Sequence, residues 1–248
     1  KSTTAGAISL CTSGTGTKAQ LHAFYADLPT KDLIYGLFSN NKWTFSTIDG
    51  DGESVQDYRE EIRRKTAADV SVSNACAVTT SGLQVFYRDE TQGILLGASK
   101  TETGWVYEIV DGDAKKGGRT TGDVAYHLSA AALGKTIYLI YDSVLNFNSS
   151  KSPIAGEVRL ATRNSLYPED WRYQTLDGPD NNVAVAGYST ALSVTNKSIA
   201  AAWLSANGNS LPNADQLRFT EITDVNIPSA ITPDFYGSPN GPLALDSK

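Results

Sequence analysis

A run that opens on Trp, alternates apolar with polar side chains and stops at Asp-Gly occurs three times in this chain. Trp43-Thr-Phe-Ser-Thr-Ile-Asp49-Gly50 returns as Trp105-Val-Tyr-Glu-Ile-Val-Asp111-Gly112 and again as Trp171-Arg-Tyr-Gln-Thr-Leu-Asp177-Gly178. The Trp residues stand 62 and 66 positions apart. Alternation with a period of two marks a half-buried strand, and Asp-Gly supplies the backbone freedom of the turn that ends it. Self-similarity at a period near 60 residues restricts the chain to a repeat architecture.

Three further strand-like runs complete each repeat. One carries an aromatic at a fixed place: Leu21–Asp27 with Tyr25, Leu83–Asp89 with Tyr87, Thr136–Asp142 with Tyr141, and Ser198–Leu204 with Trp203. The next is aliphatic: Asp32–Phe38, Gly93–Ala98, Glu157–Ala161 and Gln216–Thr220. Ahead of both lie runs of small residues: Gly6–Leu10, Val70–Ser73, Val124–Leu128 and Tyr188–Ser193. Small residues on a crowded inner strand and aromatics farther out are what a propeller blade requires. One such sheet cannot bury both its faces, so blades must stack. The expected fold is therefore an all-β β-propeller of four or five four-stranded antiparallel blades, with residues 1–248 forming a single domain. The three Trp residues serve first in packing between blades.

The fourth repeat lacks a Trp strand after Gln216–Glu221, and Gly241–Asp246 resembles another first strand, as ring closure or a fifth blade would require. Two insertions lengthen the repeats. Residues 54–65 read as a short helix, with Ser54 and Asp57 at capping-box spacing and Glu60/Arg64 and Glu61/Lys65 paired at i,i+4. Residues 146–155 read as a polar loop.

The bulk properties exclude several partners. A formal charge of −6 and a pI near 5.0 disfavour nucleic acid, whose binding needs a basic face. No apolar run approaches 18 residues, so membrane insertion by a helix is not expected. The chain starts at Lys1 and has no Met, which suggests a processed chain that is secreted or on the cell surface. Cys11 and Cys76 are either a disulfide or two buried thiols. Asn148-Ser-Ser and Asn196-Lys-Ser match the glycosylation acceptor pattern.

A Phe-Tyr-x-Asp strand (Phe24–Asp27, Phe86–Asp89), then a Leu/Ile-rich strand, then a Trp strand: this order resembles the blades of fungal fucose-specific lectins. It is also similar to repeats of secreted bacterial propellers. The resemblance implies the propeller fold. In the fucose lectins an Arg on the second strand and a Glu on the third grip the sugar beside an aromatic. Here the Arg positions hold His22, Gln84 and Ile137, and the Glu positions hold Tyr35 and Leu96. The charged grip on fucose is not carried over.

For catalysis the sequence offers little. His22 and His127 fall within expected strands, and no G-x-S-x-G, H-E-x-x-H or P-loop motif accompanies them. Asp123 and Asp69 could act as a glycosidase carboxylate pair, although an Asp before a strand more often caps a turn. Asp49, Asp51, Glu53, Asp57 and Glu60 have the spacing of an EF-type Ca²⁺ loop. Ser54, however, stands where that loop needs Gly, and a strand replaces its incoming helix, so turn chemistry is the plainer reading. Tyr25, Tyr87, Tyr141 and Trp203 are expected in the core. Trp43, Trp105, Trp171 and Tyr35 are the candidate ligand-binding aromatics. The expected function is non-catalytic, lectin-like binding of glycans. A protein surface bound by a structural domain of a larger surface protein is the second reading, and a glycoside hydrolase-like propeller the third.

Overall fold

The computed structural model describes residues 5–52, 65–165, 170–179, 183–207, 216–222 and 234–237. The chain divides into two compact units, residues 1–113 and 114–248.

The first unit contains two antiparallel four-stranded meanders. β1 (Ala5–Ser13), β2 (Gln20–Asp27), β3 (Asp32–Ser39) and β4 (Lys42–Asp49) form one. β5 (Asn74–Thr79), β6 (Gly82–Asp89), β7 (Ile94–Lys100) and β8 (Trp105–Asp111) form the other. Alternation decides which side chains meet. Phe24, Leu33, Tyr35 and Ile48 leave one face of the first blade and pack with Leu83, Val85, Tyr87, Leu96 and Ile109 of the second. Full burial of a Leu or Phe side chain contributes about 1.5–3 kcal/mol, so this seam is the unit's main source of stability.

The hairpin between β3 and β4 turns on Asn40 and Asn41, both left-handed with φ of 52° and 57°. Two consecutive positive φ values define a type I′ turn, whose second position favours Gly. Asn41→Gly is expected to raise stability by roughly 0.5 kcal/mol, and Asn41→Val to lower it by about 1–2 kcal/mol; urea titration reads both.

The first strand of the second blade differs from expectation. Val70–Ser73 is not a strand, and β5 begins at Asn74. The Val70 side chain is buried, but its N–H donates to the Lys31 carbonyl at 3.0 Å instead of to a ladder. Asp69 bends the chain by accepting from Ser71 N–H and Oγ.

The second unit repeats the plan. β9 (Asp123–Leu133), β10 (Thr136–Phe147), β11 (Pro153–Asn164) and β12 (Arg172–Asp177) form one blade. β13 (Val185–Val194), β14 (Ile199–Ala206), β15 (Gln216–Ile222) and β16 (Asp234–Gly237) form the other. A parallel bridge, Gly156 to Val185, joins them. Their seam holds Tyr138, Ile140, Val158, Leu160 and Leu176 against Ile199, Ala201, Trp203 and Ile222.

Half of the expected polar loop at 146–155 is strand. β10 continues to Phe147 and β11 starts at Pro153. The polar residues between them make a tight turn, in which Asn148 Oδ1 accepts from Ser150 and Ser152 N–H, each at 2.9 Å. β16 supplies the fourth strand that the last repeat lacked in sequence. The expected helix at 54–65, all but Lys65 of it, and the run 241–246 lie outside the described residues.

The expected all-β fold of four-stranded antiparallel blades is thus present among the described residues, two blades in each unit. The three Trp-to-Asp runs form the outer strands β4, β8 and β12, each paired on one side only, although Trp171 lies one residue ahead of its strand.

Candidate functional site

Each outer strand ends on a fully buried Asp. Asp49, Asp111 and Asp177 all accept from the N–H of the following Gly. Asp49 Oδ1 also accepts from Thr66 N–H at 2.6 Å and Thr66 Oγ1 at 3.2 Å, while its Oδ2 takes the Tyr87 hydroxyl at 2.7 Å. Asp177 Oδ2 takes the Trp203 indole N–H at 2.8 Å, with the Arg218 guanidinium 2.7 Å away. Tyr87 and Trp203 occupy the same register position on the second strand of the next blade. Both combine an apolar body with one donor at the tip, so either can reach across a seam and satisfy a buried carboxylate. Asp49 and Asp177 therefore tie neighbouring blades within their units together as well as turning the chain.

At the other end of the first seam lies a polar–aromatic cluster. Trp105 opens β8 and presents its edge to Tyr35 at 5.4 Å and to Phe24 at 6.0 Å between ring centroids. Tyr35 stacks on Phe24 at 5.1 Å and on His22 at 5.9 Å. Lys100, paired with Trp105 across β7 and β8, holds its ammonium 5.6 Å from the indole centroid. The His22 ring then links two hydroxyls: Nδ1 lies 2.8 Å from Tyr35 Oη, and Nε2 lies 2.7 Å from Ser13 Oγ. Burial holds the His22 pKa below its ordinary value and pushes the Tyr35 hydroxyl up. At neutral pH the imidazole is therefore neutral, with one N–H and one lone pair. Whichever tautomer is present, one of the two hydroxyls receives the ring N–H and keeps its own proton for another acceptor.

The structure brings two of the four candidate aromatics together, Tyr35 and Trp105. Trp43 stands on the opposite face of the first blade, against Phe38 and Phe45. Trp171 is buried with the Arg163 guanidinium 4.4 Å from its ring centroid. Sequence reasoning missed the Ser13–His22–Tyr35 relay because Ser13, on β1, has no motif connecting it to His22. His22 and Tyr35 were each legible in the sequence, one as a histidine within an expected strand and the other as a candidate aromatic, but nothing joined them.

The other candidates have partners of their own. Asp51 pairs with Lys65 at 2.8 Å, and Glu53, Asp57 and Glu60 lie outside the described residues. Asp69 accepts from Lys31 at 2.8 Å as well as from Ser71. Burial works to raise its pKa, but these bonds outweigh it and hold the carboxyl below its ordinary value. Asp123, in the other unit, accepts from the Tyr126 hydroxyl at 3.0 Å. His127 Nδ1 lies 3.5 Å from Asp142 Oδ2. Cys11 and Cys76 are joined as a disulfide between β1 and β5, beside the cluster.

No protein-family model and no curated protein sequence matches the chain. Among solved structures it is similar to AofleA from Arthrobotrys oligospora, with a TM-score of 0.52 and 12% identity over 96% of this chain and 58% of that one. It is similar to the fucose-specific lectin from Aleuria aurantia, with a TM-score of 0.50 and 12% identity over 96% of this chain and 64% of that one. A Hadza microbial sialidase, Hz136, gives a TM-score of 0.51 and 11% identity over 90% of this chain and 47% of that one. The chain thus spans about half to two-thirds of the length of these proteins. At such identities the likeness is one of fold.

Proposed function

We propose that residues 1–248 act as one secreted or cell-surface domain that binds uncharged glycans without turning them over, through the seam of the first unit. Trp105 offers a half-buried aromatic face for the apolar side of a sugar ring, with Lys100 at the rim. Ser13 offers a part-exposed hydroxyl whose donor or acceptor role is set by the His22 tautomer, which the buried Tyr35 hydroxyl holds from behind; this suits sugar hydroxyls, themselves both donors and acceptors. The pairing of Trp105 with the relay at Tyr35 is the observation that carries this reading. The shared fold with a protein described as a fucose-specific lectin supports it.

The same relay is poorly built for catalysis. A general base paired with Ser works best beside a buried carboxylate that stabilises the imidazolium. Here the orienting group is a neutral Tyr hydroxyl, and burial already disfavours protonation of His22.

A glycan array followed by calorimetry tests the proposal. Tyr35→Phe keeps the stacking and removes the hydroxyl, so it is expected to weaken sugar binding about tenfold; it also leaves buried His22 Nδ1 without its partner, at a cost of about 1 kcal/mol in stability, so binding is read well below Tm. No aryl glycoside is expected to turn over. An array on which the wild-type protein holds no neutral glycan overturns the proposal.

A further inference from the structure

Asn148-Ser-Ser matches a glycosylation acceptor motif that sugar binding leaves unused, and the fold sets it at the tip of a ribbon. Pairing of β9 with β10 reaches only to Asp123–Val144, and pairing of β12 with β11 only to Val158–Asp177. Beyond those points β10 and β11 pair with each other alone, Asn146 with Ala155 and Phe147 with Pro153. Residues 148–151 form the exposed turn.

Asn148 builds that turn itself. Its N–H donates to the Ser152 carbonyl at 2.9 Å, and its carbonyl accepts from Lys151 N–H at 3.0 Å. Its Oδ1 accepts from Ser150 and Ser152 N–H, and Lys151 takes φ of 61° to close the loop. A backbone N–H can be met only by an acceptor, so these two donors fix the side-chain amide with Oδ1 turned in and Nδ2 turned out. N-glycosylation modifies Nδ2, the one polar atom of Asn148 that the turn does not use. The turn therefore survives the modification.

The other match, Asn196-Lys-Ser, is placed differently. Thr195 organises its turn: Oγ1 accepts from Lys197 N–H at 3.2 Å and Ser198 N–H at 3.1 Å, and Thr195 N–H donates to the Ser198 carbonyl at 2.9 Å. Ser198, the hydroxyl residue of that motif, is half-buried, tied through both its N–H and its carbonyl, and followed at once by β14. Its counterpart Ser150 is exposed.

We propose that Asn148 is an N-glycosylation site and that Asn196 is passed over. The proposal rests on the reading of the chain as secreted, with which the Cys11–Cys76 disulfide agrees. The co-substrate is an oligosaccharide carried on a polyprenyl diphosphate. Nδ2 bonds to the anomeric carbon, the bond from that carbon to the diphosphate oxygen breaks, and the lipid diphosphate leaves. One Nδ2 proton passes to a carboxylate of the transferase. Transfer takes place on the chain as it enters the secretory compartment, so it needs the local turn and not the packing of the two units.

Expression behind a supplied secretory leader in a eukaryotic host tests this independently of the chain's own localisation. Intact mass and peptide mapping are read before and after peptide-N-glycosidase, which leaves Asp at each occupied Asn. A glycan mass is expected to be lost, with Asp found at 148 and Asn kept at 196. Ser150→Ala and Asn148→Asp should each lose the glycan completely with Tm unchanged. The first keeps the Ser150 N–H and the second keeps an acceptor for both backbone donors. An unmodified Asn148, whether the protein is secreted or held in the host's membranes, overturns the proposal. So does a glycan that persists in either variant, or equal occupancy at Asn196. Glycosylated protein that melts below the enzymatically stripped form would mean that the fold covers the tip, and overturns it too. An empty glycan array would count against sugar binding alone and leave this result standing.

Discussion

Replacing Asp49 by Ala is expected to cost about 4 kcal/mol of folding stability, more than any exposed substitution in the first unit. The loss comes from what is left behind. Thr66 N–H and the Tyr87 hydroxyl both donate to this carboxylate in a buried setting, and each orphaned donor costs about 1–3 kcal/mol. Tyr87→Phe removes one donor and leaves the acceptor with three others, so it should cost about 1.5 kcal/mol. The double variant should lose clearly less than the sum, because the two groups share one bond. Urea unfolding of the four proteins reads the cycle, and additivity would show that the bond across the seam contributes nothing.

The pH dependence of the same residue has a definite sign. Burial is the largest influence on Asp49 and raises its carboxyl pKa, with the bonds from Thr66, Tyr87 and Gly50 opposing. A carboxyl raised in the folded state gives its full stabilisation below its unfolded pKa and loses it as pH rises through the folded value. The gap in stability between wild type and Asp49→Ala should therefore widen as the buffer is taken from neutral pH toward the ordinary aspartate range. A gap that narrows would mean the carboxylate is favoured by its donors over its burial.

The outer strands were legible because two signals coincide in them, period-two alternation and a terminal Asp-Gly. Gly50 and Gly112 indeed take φ of 103° and 99°, which Asp-Gly turns require. What sequence reasoning could not see was the second duty of the Asp. Its partner stands 38 residues on at Tyr87 and 26 on at Trp203, and pairing across that span depends on blades stacking, a tertiary fact. The same limit hid Ser13 from His22. Local errors had local causes: Val70 looks like strand by side chain, but its N–H is spent on Lys31. Leu145, Phe147 and Ile154 extend a hairpin whose polar tip reads as a long loop.

Cys11 and Cys76, left open by the sequence, lead to the other large effect. Their bond closes a loop of 65 residues in sequence separation. Cross-linking a chain over that distance removes unfolded-state entropy worth roughly 4 kcal/mol. The Cys11→Ser/Cys76→Ser protein should lose about that much, read by urea unfolding without free thiols to confuse it. The loss differs in kind from that of Asp49→Ala, because one acts on the unfolded chain and the other on groups buried in the folded one. Addition of reductant should therefore lower Tm in wild type and in Asp49→Ala alike, and leave the double Ser variant unmoved. Cys11 also pairs directly with His22 across β1 and β2, so the bond braces the strand that carries the relay. Sugar affinity should fall on reduction even at temperatures where the protein stays folded. Unchanged affinity in the reduced, folded protein would separate the seam's stability from its binding and place the sugar elsewhere.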